Sequence, residues 1–264
     1  MKSQFYLTLI QHDIAWENPE RNRQLLDTWF EQITNPTDLV VLPEMFTTGF
    51  SMDPKRIAEP MSDTMPTLSW MRRWAERLNA CVAGSVSVSE NNRFYNRLLW
   101  VFPDGHHVYY DKRHTFTFAG EDQVYTRGQN SIVIEWQGWR IKPLICYDLR
   151  FPVWSKNRMH EDQAEYDVLL YVANWPGVRR DPWNTLLPAR AIENQAYLAA
   201  VNRVGTDGNG LEYTGDSVIL DPRAQPLAQL KMGDAGLLTA VLEAHPLQDF
   251  RAKFPVLSDD DDTI

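Results

Sequence analysis

The stretch DLVVLPE at residues 38–44 sets the fold class of the chain. Its run of consecutive apolar residues is typical of a strand buried on both faces, and Pro43 follows where the chain must leave the sheet. An alternating segment at 4–11 predicts a strand before it, and an amphipathic helix is predicted between the two at 18–33. A second helix, predicted at 67–80, leads directly into another strand. Strands that alternate with helices in this way predict a layered α/β fold.

Antiparallel strands are expected in the same sheets. Residues 93–114 hold two β-rich runs around a Pro-Asp-Gly turn at 103–105, a hairpin signal because proline and glycine set the turn dihedrals. A second hairpin is predicted over 131–146, with its turn at the Gln-Gly pair 137–138. We therefore expect mixed sheets.

The second half of the chain continues the alternation. A buried strand is predicted within 166–176, and a helix after it is expected to begin with Asp181 as its cap and Pro182 in its first position. Pro188 is expected to kink or shorten this helix, because proline removes a ladder hydrogen bond. Two further strands and a short C-terminal helix are predicted over 196–205, 211–221 and 245–254.

Composition limits both the architecture and the function. The chain has 264 residues and is 44% hydrophobic, without a linker or repeat, so we expect a single domain over 1–264. A net charge of -9 argues against a nucleic-acid or anionic-membrane surface, since phosphate binding needs a concentrated basic face. The acidic residues at the end of 256–264 are expected to form a mobile, solvated tail.

The cysteines and histidines indicate a cytoplasmic protein without a metal site. Cys81 and Cys146 are expected to be free thiols, because the N-terminal residues do not form a signal-peptide core. No apolar stretch approaches the roughly 20 residues of a membrane helix. The chain has no HxH, HxxxH or CxxC arrangement, so no metal ligand set is predicted.

Three predicted strand ends carry chemically active side chains: Glu44, Lys112 and Cys146. Loops at strand ends are where functional residues gather in α/β sheets, so these three could converge on one pocket. Glu44 could then take the proton of the Cys146 thiol, and the thiolate would attack a carbonyl carbon. Lys112 and a backbone N–H, most simply that of Tyr147, would stabilise the resulting oxyanion.

Each of these residues also has a simpler interpretation. A lone cysteine in an apolar strand is more often inert core than nucleophile. Glu44 could cap a helix, and Lys112 could be a solvated cation at a strand end. A thiol protease would need His114 or His12 as its base, and nothing in their neighbourhood marks either of them.

Together, the segments LPEMF, YDKRH and CYDLRFP resemble the nitrilase, or carbon-nitrogen hydrolase, superfamily. The resemblance extends to FYNRLLWVFPDG, ANWP and ARAIENQAYLAAVNRVG, and covers residues 4 to 222. It implies a four-layer αββα sandwich with mixed sheets and helices outside, in which two such domains commonly pair as a homodimer or in a higher homo-oligomer. It also implies a catalytic triad of Glu44, Lys112 and Cys146, which needs no metal or organic cofactor. Family members hold a second glutamate beyond the lysine, matched here by Glu121, which would position Lys112 and the substrate.

Within the superfamily, the chain is most similar to the omega-amidase branch, which implies hydrolysis of the terminal amide of small 2-oxo acid amides. Candidates for binding the distal carboxylate are Arg113, Arg150, Asn174 and Arg203. Arg150 could instead act with Asp148 to stabilise the turn after Cys146, and we favour this structural role.

Other functions remain open at this point. An aliphatic nitrilase or an N-carbamoyl amino acid hydrolase would use the same triad. A non-catalytic interaction protein on this fold is a further alternative, because fold does not dictate function, although all three triad positions are filled.

Overall fold

The computed structural model describes residues 1–161 and 163–259. The helices are α1 (Pro19–Phe30), α2 (Pro54–Ile57), α3 (Pro66–Leu78), α4 (Glu121–Val124), α5 (Pro152–Ser155), α6 (Arg180–Asn194) and α7 (Ala244–Lys253). The strands are β1 (Gln4–Gln11), β2 (Leu39–Val41), β3 (Glu59–Pro60), β4 (Cys81–Glu90), β5 (Arg93–Val101), β6 (His107–Asp111), β7 (Ile134–Trp136), β8 (Trp139–Ile145), β9 (Met159–His160), β10 (Gln163–Ala164), β11 (Val168–Val172), β12 (Tyr197–Val201), β13 (Val204–Thr206), β14 (Glu212–Thr214), β15 (Val218–Leu220), β16 (Pro226–Gln229) and β17 (Gly236–Glu243).

Two large mixed sheets form the centre of the fold. The first has the strand order β17-β1-β2-β4-β5-β6, with β3 pairing on β4, and the second has the order β16-β15-β12-β11-β8-β7. Strands β1, β2 and β4 are parallel neighbours, as are β8, β11 and β12, whereas the outer strands pair antiparallel. The prediction of mixed sheets is confirmed.

The alternation of side chains along β2 shows how the layers stack. Leu39 and Val41 belong to the core that includes residues of both sheets, whereas Val40 belongs to a second core beneath α1 and α3. Trp183 and Leu187 of α6 pack against the second sheet. The order of layers is therefore helix, sheet, sheet, helix, which confirms the αββα sandwich. The stretch 38–44 is buried on both faces because it lies inside this sandwich.

Most predicted elements lie within a few residues of their expected bounds, but α6 differs. It begins at Arg180, and Arg179 is its N-cap residue, so the prediction of Asp181 as the cap is wrong. A 3₁₀ turn at Gly177–Arg179 runs directly into the helix, which places Asp181 inside the first turn. Pro188 does not shorten the helix, which continues to Asn194.

The predicted strand at 211–221 is two strands, β14 and β15. Gly215 and Asp216 between them both have positive φ, at 76° and 61°, so the chain turns there. Glycine tolerates this conformation, and aspartate is among the few other residues that adopt it.

A short turn follows the last helix. Val256–Asp259 form a 3₁₀ turn in which Leu257 is buried, and the mobile tail over 256–264 stays a prediction. The last five residues, 260–264, of which the first three are aspartates, lie outside the described residues. None of the helices in the described ranges combines the length and apolar character that crossing a bilayer requires.

Candidate active site

Both sheets contribute strand ends to one site. Glu44 follows β2 after a proline, Lys112 comes directly after β6, and Cys146 comes directly after β8. Strands β2 and β6 run in the same direction within the first sheet, because two antiparallel steps separate β4 from β6. Their carboxyl ends therefore lie at the same edge, and β8 brings Cys146 to it from the second sheet.

A buried lysine is held between two buried carboxylates. Lys112 Nζ donates to Glu44 Oε1 at 2.8 Å and to Glu121 Oε2 at 2.9 Å, and none of the three side chains is more than 1% exposed. Asn96 Nδ2 donates to Glu44 Oε1 at 2.8 Å and to Glu121 Oε1 at 3.1 Å. Ser85 Oγ donates to Asn96 Oδ1 at 2.9 Å and so fixes the amide. The hydrogen bonds leave both carboxylates little freedom to rotate.

Asn174 holds Glu44 from the side of the second sheet. Its backbone N–H donates to Glu44 Oε2 at 2.8 Å, and its Nδ2 donates to the Glu44 carbonyl oxygen. The carbonyl oxygen of Asn174 lies 3.9 Å from Cys146 Sγ. Asn174, in the turn that follows β11, therefore contacts both the carboxylate and the thiol.

The nucleophile candidate lies on a tight turn. Strand β8 ends at Ile145, and Cys146–Arg150 form a 3₁₀ turn whose first residue has φ 46°. A left-handed conformation at a residue other than glycine costs about 1 kcal/mol or more, and strained residues of this kind cluster at functional sites. Asp148 Oδ2 accepts the N–H of Ile145 at 3.0 Å, which closes the turn.

Asp148 also joins this turn to the segment that carries Lys112. Its Oδ1 accepts the backbone N–H of His114 at 3.0 Å and lies 2.7 Å from the ring Nδ1 of the same residue. Its Oδ2 accepts the Tyr110 hydroxyl at 2.7 Å. Tyr110 and His114 flank Lys112 in the sequence, so one buried carboxylate fixes the lysine relative to the cysteine.

The charges of the site act on the thiol in opposite directions. Burial raises the pKa of Cys146 well above its usual value, the carboxylate of Glu44 raises it further, and the ammonium of Lys112 opposes both. Burial would lower the pKa of Lys112, but Glu121 and Glu44 outweigh burial and raise it, so the lysine stays charged. Burial also raises the pKa of Glu121, although the positive charge of Lys112 acts to lower it. These surroundings therefore disfavour a free thiolate at Cys146, and a proton acceptor beside the thiol would assist its attack.

The thiol faces a cavity of about 140 Å³. Of the predicted site residues, Lys112, Cys146, Tyr147, Arg150 and Asn174 line it. The rest of the lining is mostly apolar or aromatic and consists of Phe50, Phe116, Phe118, Ala119, Trp175, Pro176, Arg179, Leu211 and Tyr213. Such a cavity suits a small molecule whose polar end reaches the thiol.

Two of the predicted arginines lie away from the cavity wall. Arg113 Nη1 donates to the Gly128 carbonyl at 3.1 Å and to Gln129 at 3.0 Å, so a role in binding the substrate carboxylate does not fit its position. Arg203 is fully buried and pairs with Asp13 at 2.6 Å. Sequence could not separate these residues, because the orientation of each depends on the turn that carries it.

Arg150 does line the cavity, and its guanidinium lies 5.1 Å from the centre of the Trp175 ring. It is exposed, whereas the contacts that close the cysteine turn come from Asp148. The role predicted for Asp148 in closing the turn is confirmed, whereas the position of Arg150 in the cavity wall favours the alternative role, contact with a substrate, which stays a prediction.

Sequence analysis missed Asn96 and Arg179. Asn96 interrupts an apolar run in the middle of β5, and a polar residue in a buried strand is a signal for a partner. Arg179 lies in a loop beyond ANWP, and its position depends on how that loop meets the segment of Phe116 and Phe118. No local pattern marks it.

Comparisons with known proteins agree with this geometry. The carbon-nitrogen hydrolase family model matches residues 7–252. An omega-amidase, YafV, of Yersinia enterocolitica is 48% identical over 97% of this chain and 96% of its own length. A 2-oxoglutaramate amidase of Bacillus subtilis is 32% identical over 96% of both chains.

A solved structure extends the similarity to the fold. A CN-hydrolase superfamily protein from Xanthomonas campestris, with an arsenic adduct in its active site, is 43% identical and superposes with a TM-score of 0.95, covering 99% of this chain and 98% of that one. The family match spans nearly all of the residues that form the two sheets and the cavity. The chain therefore belongs to the carbon-nitrogen hydrolase family.

Proposed function

We propose that this hydrolase is an omega-amidase, which releases ammonia from the terminal amide of small 2-oxo acid amides such as 2-oxoglutaramate. The observation that carries the proposal is the charged Lys112 between two buried carboxylates, in the same cavity wall as the Cys146 thiol. The choice of amide is supported by the relatives named omega-amidase and 2-oxoglutaramate amidase.

The first half of the reaction forms a thioester. Glu44 takes the proton of Cys146 as Sγ attacks the amide carbon, which avoids a free thiolate in a site that disfavours one. The carbonyl oxygen becomes negative and is stabilised by Lys112 Nζ and by the backbone N–H of Tyr147, each contributing on the order of 3 kcal/mol. The carbon–nitrogen bond then breaks, and Glu44 returns the proton to the departing ammonia.

The second half regenerates the enzyme. A water gives a proton to Glu44 and attacks the thioester carbon, the carbon–sulfur bond breaks, and the proton passes from Glu44 to Sγ. Glu121 touches Lys112 and Asn96, so we assign it to positioning the ammonium. The steps use only side chains, backbone and water, and require no cofactor.

The test is ammonia release by the wild type beside Cys146→Ala. The substrates are 2-oxoglutaramate, 2-oxosuccinamate, glutamine, an aliphatic nitrile and an N-carbamoyl amino acid. We expect turnover of the two oxo acid amides and its loss in the variant. Preferred turnover of the nitrile or the carbamoyl compound would replace the proposed substrate, and full activity of Cys146→Ala would overturn the nucleophile.

We further propose that the enzyme acts in the cytoplasm as a homodimer or higher homo-oligomer. The location is supported by Cys81 and Cys146, both free thiols in the structure. The oligomer is supported by the family that the motifs imply, in which two such domains commonly pair. Sedimentation over a range of protein concentrations tests the assembly, and a monomer at every concentration would contradict it.

A further inference from the structure

Two arginines in the cavity wall have no acidic partner among the residues that the structure describes. Lys112, Arg150 and Arg179 line the cavity, and none of the described lining residues is an aspartate or glutamate. Lys112 is neutralised from behind by its two glutamates. In the part of the chain that the structure describes, no ion pair involves Arg150 or Arg179. The cavity therefore has an excess of positive charge at Arg150 and Arg179, in a protein whose net charge is -9.

The contrast with the next residue supports a functional reason for the free charge. Arg180 is tied to Asp216 by two hydrogen bonds of 2.7 and 2.8 Å. Arg179 is instead held by rings, with its guanidinium 5.1 Å from the centres of both Phe116 and Phe118. Its carbonyl oxygen accepts Trp175 Nε1 at 2.6 Å, which fixes the backbone below it. Ring faces orient a guanidinium and reduce its hydration while leaving its N–H groups free.

We infer that Arg179, with Arg150 as a second cation, binds the carboxylate that the substrate carries at the end opposite its amide. The inference rests on the proposed function and names the subsite that selects acidic amides over neutral ones. A planar, fixed guanidinium matches a carboxylate with two parallel hydrogen bonds. The apolar cavity walls at Phe50, Trp175 and Leu211 suit the methylene groups between the two ends.

Binding and turnover are measured separately so that the two proposals can fail separately. Calorimetry with Cys146→Ala gives the Kd of 2-oxoglutaramate without turnover, and we expect Arg179→Gln on this background to weaken binding by at least about tenfold. Arg179→Lys, which keeps the charge, is expected to recover part of the affinity. Arg223→Gln is the matched control, because Arg223 also lies over a phenylalanine ring, 4.1 Å from Phe250, but does not line the cavity.

With the catalytic cysteine intact, Arg179→Gln should raise KM for 2-oxoglutaramate by a similar factor and leave kcat within about threefold, because the distal contact is the same in ground and transition states. Hydrolysis of butyramide, a neutral amide, should fall much less than hydrolysis of 2-oxoglutaramate, because butyramide has no carboxylate for Arg179 to bind. Equal Kd values for 2-oxoglutaramate with and without Arg179, or equal losses on both substrates, would overturn the subsite. If Arg179→Gln weakens the binding of 2-oxoglutaramate but the wild type hydrolyses no oxo acid amide, the subsite is kept and the proposed function is overturned.

Discussion

At the scale of single residues, Glu44 has two opposing effects on Cys146. As a base it accepts the thiol proton during attack, and as a nearby negative charge it raises the thiol pKa before substrate arrives. The two effects predict different outcomes when the carboxylate is replaced by an amide of the same size. Turnover depends on the base, whereas reaction with a simple alkylating reagent depends on the fraction of thiolate.

We therefore expect Glu44→Gln to lower kcat by about a hundredfold or more while shifting the alkylation of Cys146 to lower pH. The sign follows because removing a negative charge stabilises the thiolate, so the thiol pKa falls toward its ordinary value. The measurement is the rate of iodoacetamide labelling of Cys146 against pH, read by mass spectrometry, beside the rate of ammonia release.

Glu121→Gln is the control for this pair of measurements. Its charge also raises the pKa of Cys146, but less than the charge of Glu44 does, so its replacement should shift the labelling by less. Near-normal turnover in Glu44→Gln would remove Glu44 as the base. A shift of labelling to higher pH would show that its charge does not act on the thiol as described.

At the scale of secondary structure, α6 shows why local rules and tertiary packing can disagree. Pro188 lies inside a helix that nonetheless runs from Arg180 to Asn194. Trp183, Leu187 and Ala191 of this helix are buried in the main core, and their burial offsets the lost backbone hydrogen bond. A single sequence displays the proline but not the surface that compensates for it.

Replacing this proline should stabilise the protein. Pro188→Ala restores a backbone N–H that can donate to the carbonyl of Asn184 and removes a clash, so we expect the free energy of unfolding to rise by about 1–3 kcal/mol. Urea denaturation followed by circular dichroism measures the change. Pro182→Ala is the matched control. A backbone N–H in the first turn has no acceptor within the helix, so replacing this proline should add little stability. Equal gains at both positions would refute the explanation.

The strands could be predicted from the sequence more completely than the contacts within the site. The bounds of β1 and the burial of β2 follow from local patterns of apolar residues. The ends of β2, β6 and β8 carry Glu44, Lys112 and Cys146, which the sequence alone displays. What no local pattern contains is the approach of distant segments. The bond from Asn174 to Glu44 joins residues 130 positions apart, and the ring contacts of Arg179 depend on a loop that is more than fifty positions away.

At the scale of the whole molecule, the two sheets are joined by buried polar contacts at the end of β1. Gln11 Oε1 accepts the backbone N–H of Ser217 at 3.0 Å and its hydroxyl at 2.6 Å. The next residue, His12, accepts the backbone N–H of Val204 at 3.2 Å through its carbonyl. These bonds connect the first sheet to segments flanking β12 and β15 of the second. Loss of this contact should therefore affect the stability of the whole sandwich.

His12 makes that junction sensitive to acid. Burial lowers the pKa of its imidazole from 6.5 to about 4, with the charge of Arg203 contributing and the carbonyl of Asp13 opposing. The unfolded chain takes up a proton below about pH 6.5, whereas the folded chain does not until the pH is near 4. The stabilisation is therefore present above the unfolded pKa and is lost as the pH falls through this interval, by at most about 3 kcal/mol.

The measurement is the free energy of unfolding at several pH values for the wild type and His12→Gln. Other carboxylates titrate in both proteins, so the difference between the two curves isolates the imidazole. We expect the advantage of the wild type to shrink steadily from pH 7 to pH 4 and to change little below that. A difference that is constant over this interval would mean that the buried ring does not couple protonation to the joining of the two sheets.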